Sequence, residues 1–121
     1  MIGMKLWVDD VRPAPEDYVW CKSVHAAKNA IEARELLNGI VWYYDNGTKE
    51  LLAPFELIDI DHDAGEYAEH YGGDYIKLLD WLEETGRNYP IRIHSMNPVG
   101  VENMRRIIQK NGWTEVFYAK Y

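Results

Sequence analysis

The chain has 121 residues and a net charge of −7, with 47% hydrophobic and 27% charged residues. That balance excludes a disordered chain, and the acid excess leaves no basic surface for duplex nucleic acid or an anionic membrane. The one cysteine, Cys21, excludes an intrachain disulfide framework.

The length fits one domain over residues 1–121, with a single core. Met1 to Val8 carries no long apolar region or cleavage site, and no run approaches the ~18 apolar residues of a membrane helix. A cytoplasmic location without membrane contact is the expectation. Aromatics at 13% read first as filling for a small core.

Lys5-Leu6-Trp7-Val8 reads as a buried strand that ends abruptly in Asp9-Asp10. Pro13 and Pro15 bar a helix from the stretch that follows. Tyr18 to Cys21 reads as a second strand. Ser23 is a candidate N-cap for a helix over 24–37, whose apolar positions are Val24, Ala27, Ile31, Leu36 and Leu37. Asn38-Gly39 stops it.

Residues 40–54 predict an inserted β-hairpin around Asp45-Asn46-Gly47-Thr48, closed by Pro54. Leu57 to Ile60 is a buried, parallel-type strand with Asp61-His62-Asp63 at its end. An acidic and aromatic loop spans Ala64 to Gly73. Asp74 is a candidate cap for a helix with Tyr75, Leu78, Leu79 and Leu82 on one stripe. Ile91-Arg92-Ile93 predicts the next strand, ending in His94-Ser95-Met96-Asn97. A helix then begins near Gly100 with Val101, Met104, Ile107 and Ile108 on one side, and Asn111-Gly112 ends it. Glu115 to Tyr118 reads as a last strand.

Strands alternating with helices imply an α/β fold with a five-stranded, mainly parallel sheet, right-handed crossovers and three layers. Ligands of such sheets bind outside the carboxyl ends of the strands. Three strands here end in polar clusters: Asp9-Asp10, Asp61-His62-Asp63, and His94-Ser95 with Asn97. Asp59, a carboxylate inside an apolar strand, needs a partner such as Arg92.

Asp9, Asp10, Asp61 and Asp63 suit a hard, all-oxygen Mg²⁺ site. His62 and His94 suit proton transfer. Arg12 can present a fork to phosphate, and Ser95 and Asn97 can join backbone N–H groups in holding an anion. Together these suggest phosphoester chemistry. Two histidines and a carboxylate would also suit a transition metal, although no His-x-x-x-His or cysteine pair supports it.

The motifs Leu6-Trp7-Val8-Asp9-Asp10-Val11-Arg12-Pro13, Asp61-His62-Asp63-Ala64-Gly65 and Ile93-His94-Ser95-Met96-Asn97-Pro98-Val99-Gly100, with Asn103-Met104, resemble the cyclic-phosphate processing receiver-like domains. These are distant relatives of two-component receivers. The resemblance implies a flavodoxin-like domain whose first helix is reduced to the 11–17 loop. It also implies processing of cyclic phosphates on nucleotides or RNA ends. Asp9 and Asp10 match the Mg²⁺-holding pair of receivers, Asp61 their phospho-accepting aspartate and Ser95 their strand-four hydroxyl. His62, Asp63, His94 and Asn97 match the motifs that set the family apart. Lys120 is the candidate for the receivers' strand-five lysine, although no proline follows it.

The leading expectation is therefore hydrolysis of a cyclic or terminal phosphate. His62 and His94 would be base and acid, with Asp61 beside them. Arg12, Ser95 and Asn97 would hold the phosphate, and the partner would be a small phosphorylated ligand or an RNA end. A nucleotide sensor without turnover is an alternative, in which Tyr43, Tyr44, Tyr67 and Tyr71 stack a base. A degenerate phospho-accepting receiver with Asp61 as acceptor is another.

Overall fold

A computed structural model describes residues 3–117 of the chain. Four short strands, β1 (Lys5–Val8), β2 (Tyr18–Cys21), β5 (Ile58–Ile60) and β6 (Ile91–Ile93), form one parallel sheet in the order β2-β1-β5-β6. Their residues are mostly β-branched or aromatic and alternate between two faces. Leu6, Val8, Cys21, Ile58, Ile60 and Ile91 face one way, into the main core. Burying each such aliphatic side chain contributes roughly 1.5–3 kcal/mol.

Three helices cover that face: α1 (Val24–Leu36), α2 (Ile76–Glu84) and α3 (Pro98–Asn111). The Ser23 hydroxyl accepts the Ala26 N–H at 3.0 Å and so starts α1. Val24, Ala27 and Ile31, one face of the helix, are buried. Leu36, counted at the sequence level with that stripe, falls off it and is 84% exposed. Asp74 does not cap α2. Its Oδ1 accepts the Ala64 N–H at 3.1 Å, which ties the preceding loop, while Tyr75 occupies the cap position without a side-chain bond. Tyr75, Leu78, Leu79 and Leu82 are buried as the spacing predicts. α3 begins two residues before Gly100, with Asn97 as its cap and Pro98 in its first turn, and it ends at Gly112 in the left-handed conformation.

The layering differs from the expectation. The connections β2–α1–β5, β5–α2–β6 and the exit of α3 toward Glu115 all move across the sheet in one direction. Right-handed crossovers in one direction place their helices on one face. Only β1 to β2 runs the other way, and its connection is the Pro-rich loop. Among the described residues the second face therefore carries no helix, and the fold has two layers. Trp7, Tyr18, Asp59 and Arg92 lie on that face, as the register Trp7–Asp59–Arg92 requires. The predicted last strand is present as one parallel bridge from Ile91 to Glu115. Its end at Tyr118 and the candidate Lys120 lie outside the described residues.

The hairpin forms from β3 (Val41–Tyr43) and β4 (Lys49–Leu51), antiparallel. It is anchored by the Arg34–Glu50 ion pair at 2.9 Å. α1 starts just past the carboxyl end of β2, so Arg34, near its other end, stands toward the amino end of the sheet. The hairpin flanks that part of α1, away from the strand-end clusters.

Candidate functional site

The carboxyl ends of β1, β5 and β6 are held in register beyond the strands. Asp61 donates its N–H to Val8 at 2.9 Å and His94 donates its own to Ile60 at 2.9 Å. Period-two alternation then places Asp9, Asp61 and His94 on the same face as Trp7 and Asp59.

Asp9 is buried. Its Oδ1 accepts the N–H groups of Val11 and Arg12 at 2.9 and 3.0 Å, which shapes the turn into the Pro-rich loop. Burial pushes its carboxyl up, but these two amides and the His94 ring outweigh it and hold Asp9 below the usual range. Asp10 shifts the other way. Burial raises its carboxyl, and the charges of Asp9, Asp61 and Asp63 add to the rise against a bond from its own amide.

Oxygens of Asp9, Asp10 and Asp61 all lie within 4.8 Å of one another, a group that could hold a metal ion. The donor set fits a hard divalent cation, since it is all oxygen and the upward shift of Asp10 is relieved by positive charge. The start of the 64–73 loop packs against it: a Cβ on Gly65 would stand 2.3 Å from Asp10 Oδ2. Gly65 also has a positive φ of 56°, so glycine is required twice over. Asp63, expected as a fourth ligand, lies outside this group. Its carboxylate turns to His62 Nδ1 at 2.8 Å.

The two histidines are treated differently. The His94 side chain is 5% exposed. Its Nδ1 lies 2.6 Å from Asp59 Oδ1 and its Nε2 lies 2.9 Å from Asp9 Oδ2. Trp7 stacks on the ring at 3.9 Å and 6°. Arg92 and Tyr18 also bond Asp59, at 3.0 and 3.2 Å, so Arg92 is the partner that Asp59 needed. Expected with His62 as the base and acid pair, His94 has both nitrogens committed to carboxylates inside the protein. His62 faces the first turn of α3, and a Cβ on Gly100 would stand 2.4 Å from its Cγ. With Nδ1 on Asp63, its Nε2 has no hydrogen-bond partner among the described residues.

The expected phosphate holders are also placed. Arg12 is exposed and spends Nη1 on the His94 carbonyl at 2.8 Å. Ser95 Oγ accepts the Asn97 N–H at 3.1 Å, and Asn97 Oδ1 accepts the Gly100 N–H at 3.0 Å. The Gly100 amide that a bound anion could have used is thereby taken by the cap. Asn97 Nδ2 approaches both His62 Nδ1 and Asp63 Oδ1 at 3.5 Å.

Tyr67 and Tyr71 remain on the site's side, since the Tyr71 carbonyl accepts the His25 N–H at the start of α1. Tyr43 and Tyr44 are on the hairpin and do not join them. Trp7, which seats His94, was missed by sequence reading as a site residue. Its signal was available, since it shares the strand face of Asp59.

Neither the curated proteins nor the solved structures give a significant match to the chain. The sequence profile of the cyclic-phosphate processing receiver domain matches residues 4–110. Nearly the whole described fold lies within that span, and the chain belongs to this family.

Proposed function

We propose that the domain hydrolyses a cyclic or terminal phosphate on a nucleotide or RNA end, with His62 as the proton-transferring group. The observation that carries this reading is the arrangement of His62: Nδ1 held by Asp63 at 2.8 Å, Nε2 unpartnered among the described residues, and a three-carboxylate group on the neighbouring strand ends. A carboxylate on Nδ1 selects the tautomer whose Nε2 can accept a proton. Water's oxygen bonds to phosphorus as one ester P–O bond breaks. Nε2 takes the water's proton and hands it to the released sugar oxygen, which leaves as a hydroxyl and restores the neutral ring.

Asp9, Asp10 and Asp61 would hold a divalent cation such as Mg²⁺, which when bound supplies positive charge against the phosphate. Arg12 binds a phosphate oxygen with the guanidinium donors not used on His94, and the Ser95 hydroxyl donates to another. Asn97 steadies the His62–Asp63 pair. His94 is a positioning residue: seated on Trp7 and bound to Asp59, it fixes the orientation of Asp9.

Phosphorus NMR with a panel of 2′,3′- and 3′,5′-cyclic nucleotides, with Mg²⁺ or with EDTA, tests this. The expected result is conversion to a monoester, slowed about 10²–10⁴-fold in His62→Ala. No conversion across the panel, or turnover unchanged in His62→Ala, overturns the reading.

A further inference from the structure

The hairpin presents the largest run of exposed apolar side chains in the described chain: Ile40, Val41, Trp42, Tyr43 and Tyr44 in succession, with Leu51 across the ladder. Tyr43 is 71% exposed. Large exposed patches of this kind mark interaction sites.

The backbone says what kind. Leu52 donates to Ile40 and Tyr44 donates to Thr48, each at 2.8 Å, and Trp42 pairs with Glu50. The Ile40 carbonyl and the peptide groups of residues 42 and 44 therefore point at β4, while the Ile40 N–H turns back to the Leu37 carbonyl. Those of Val41 and Tyr43 point outward and pair with no described strand. An unpaired edge is a template for another strand. The opposite edge carries Lys49, a charge of the sort that blunts such pairing, whereas 40–44 carries none.

The cavity beneath the hairpin argues against a polar ligand there. It holds about 230 Å³ between Trp42 and α1, lined mainly by Val19, Ala30 and Leu37. Its one charged lining residue, Arg34, is paired with Glu50, which also accepts from Tyr44 at 2.8 Å. Nothing polar is left over to recognise a nucleotide.

From these observations we infer that the β3 edge pairs with the same edge of a second copy of this chain. The two β3 strands run antiparallel about a two-fold axis at Trp42. Val41 of each copy then exchanges hydrogen bonds with Tyr43 of the other, and β4-β3-β3-β4 becomes one continuous sheet. A two-fold contact is self-complementary, as this requires. The chain's acid excess lies outside the uncharged strand, so the contact avoids direct repulsion. At roughly 150–250 Å² for a fully buried aromatic, and with Trp42, Tyr43 and Tyr44 exposed by 49, 71 and 44%, the three rings offer on the order of 300 Å² per copy, against about 800 Å² per partner in a standard interface. The dimer therefore belongs to the weaker, concentration-dependent class.

Sedimentation equilibrium of the full chain from about 1 µM to 1 mM tests it. The mass is expected to rise toward twice the 14.2 kDa of one chain. Val41→Lys and Tyr43→Lys, each at an exposed position, should weaken association about tenfold or more with the circular dichroism unchanged. Lys49→Ala, on the other edge, should leave association as it is. A monomer throughout overturns the inference and gives the patch to a different partner. So does a dimer that both lysine substitutions leave intact, or one that Lys49→Ala dissociates.

Discussion

His94 Nε2 lies 2.9 Å from Asp9 Oδ2, and this contact ties the end of β6 to the end of β1 across the strand between them. The other ring nitrogen meets Asp59 on that middle strand. Both are donor bonds only for a ring carrying a proton on each nitrogen. The pairing explains how a carboxylate as buried as Asp59, at 0% exposure, is tolerated. It is surrounded by Arg92, Tyr18 and His94.

Removing one member of a buried ionic group leaves the others uncompensated. Asp59→Ala is expected to lower stability by about 3–5 kcal/mol, with a smaller loss in Asp59→Asn, which keeps the volume and some hydrogen bonding. Chemical denaturation measures both. A loss below about 1 kcal/mol in Asp59→Ala would show that the network contributes nothing beyond packing.

Asp9 and Asp10 should respond to pH with opposite signs. Asp9 is held low, so its ionised form stabilises the fold at neutral pH. That contribution is lost as the pH falls below the ordinary aspartate value of about 3.9. Asp9→Asn should therefore be less stable than wild type at pH 7 and converge with it in acid. Asp10 is held high, so its contribution is present in acid and lost as the pH rises through its raised value. Asp10→Asn should melt higher than wild type at pH 7 without metal. It should also lose most of the stabilisation that Mg²⁺ confers on the wild type, since binding to the folded state alone raises the melting temperature. Thermal melts at several pH values, with Mg²⁺ or EDTA, read all of this.

Gly100 is required by His62 rather than by its backbone. Its Cβ position is occupied by the ring at 2.4 Å. Gly100→Ala should gain up to about 1 kcal/mol in helix propensity but cost roughly 1–3 kcal/mol in overpacking. The decisive readout is the imidazole NMR signal of His62, which should shift. An unmoved signal together with a raised melting temperature would contradict the close packing.

Asn97 combines a helix cap with a contact to the His62–Asp63 pair. The two roles separate by substitution. Asn97→Ala should lose about 0.5–2 kcal/mol of stability, whereas Asn97→Ser keeps a capping oxygen and should lose little. Both should slow turnover of whatever cyclic phosphate the wild type converts. If Ser restores stability and rate together, Asn97 acts through the cap alone.

Cys21 is buried in the core, and burial pushes its thiol up to about 11. The thiolate is the reactive form. Labelling by a disulfide reagent at pH 8 should be slow in the native protein and rapid in denaturant. Fast native labelling would place the thiol at the surface.

Element identity was legible because it is local. Val24, Ala27 and Ile31 announce α1, Asn97-Pro98 and Gly112 bracket α3, and Asp45 to Thr48 turns the hairpin. The misreadings were of a different kind. Leu36 leaves the apolar stripe of α1 by one position, and the Asp74 carboxylate serves the more distant Ala64 amide in place of the helix it precedes. Aromatic character alone does not separate Tyr43 and Tyr44 from Tyr67 and Tyr71, yet the direction of α1 carries the hairpin to the other end of the sheet.

The sequence by itself determined that three polar clusters end three parallel strands and meet at one edge. Strand period and crossover handedness leave little choice there. Only the tertiary structure decided which polar groups face each other. His94 and Asp9 are 85 positions apart. Whether a histidine turns inward to two carboxylates or outward to a ligand depends on the packing of Trp7 beneath it and on the cost of leaving Asp59 unpaired. Both are properties of neighbours in space. The same holds for the second face of the sheet, which carries no helix among the described residues because of the order of the strands and not because of any one of them.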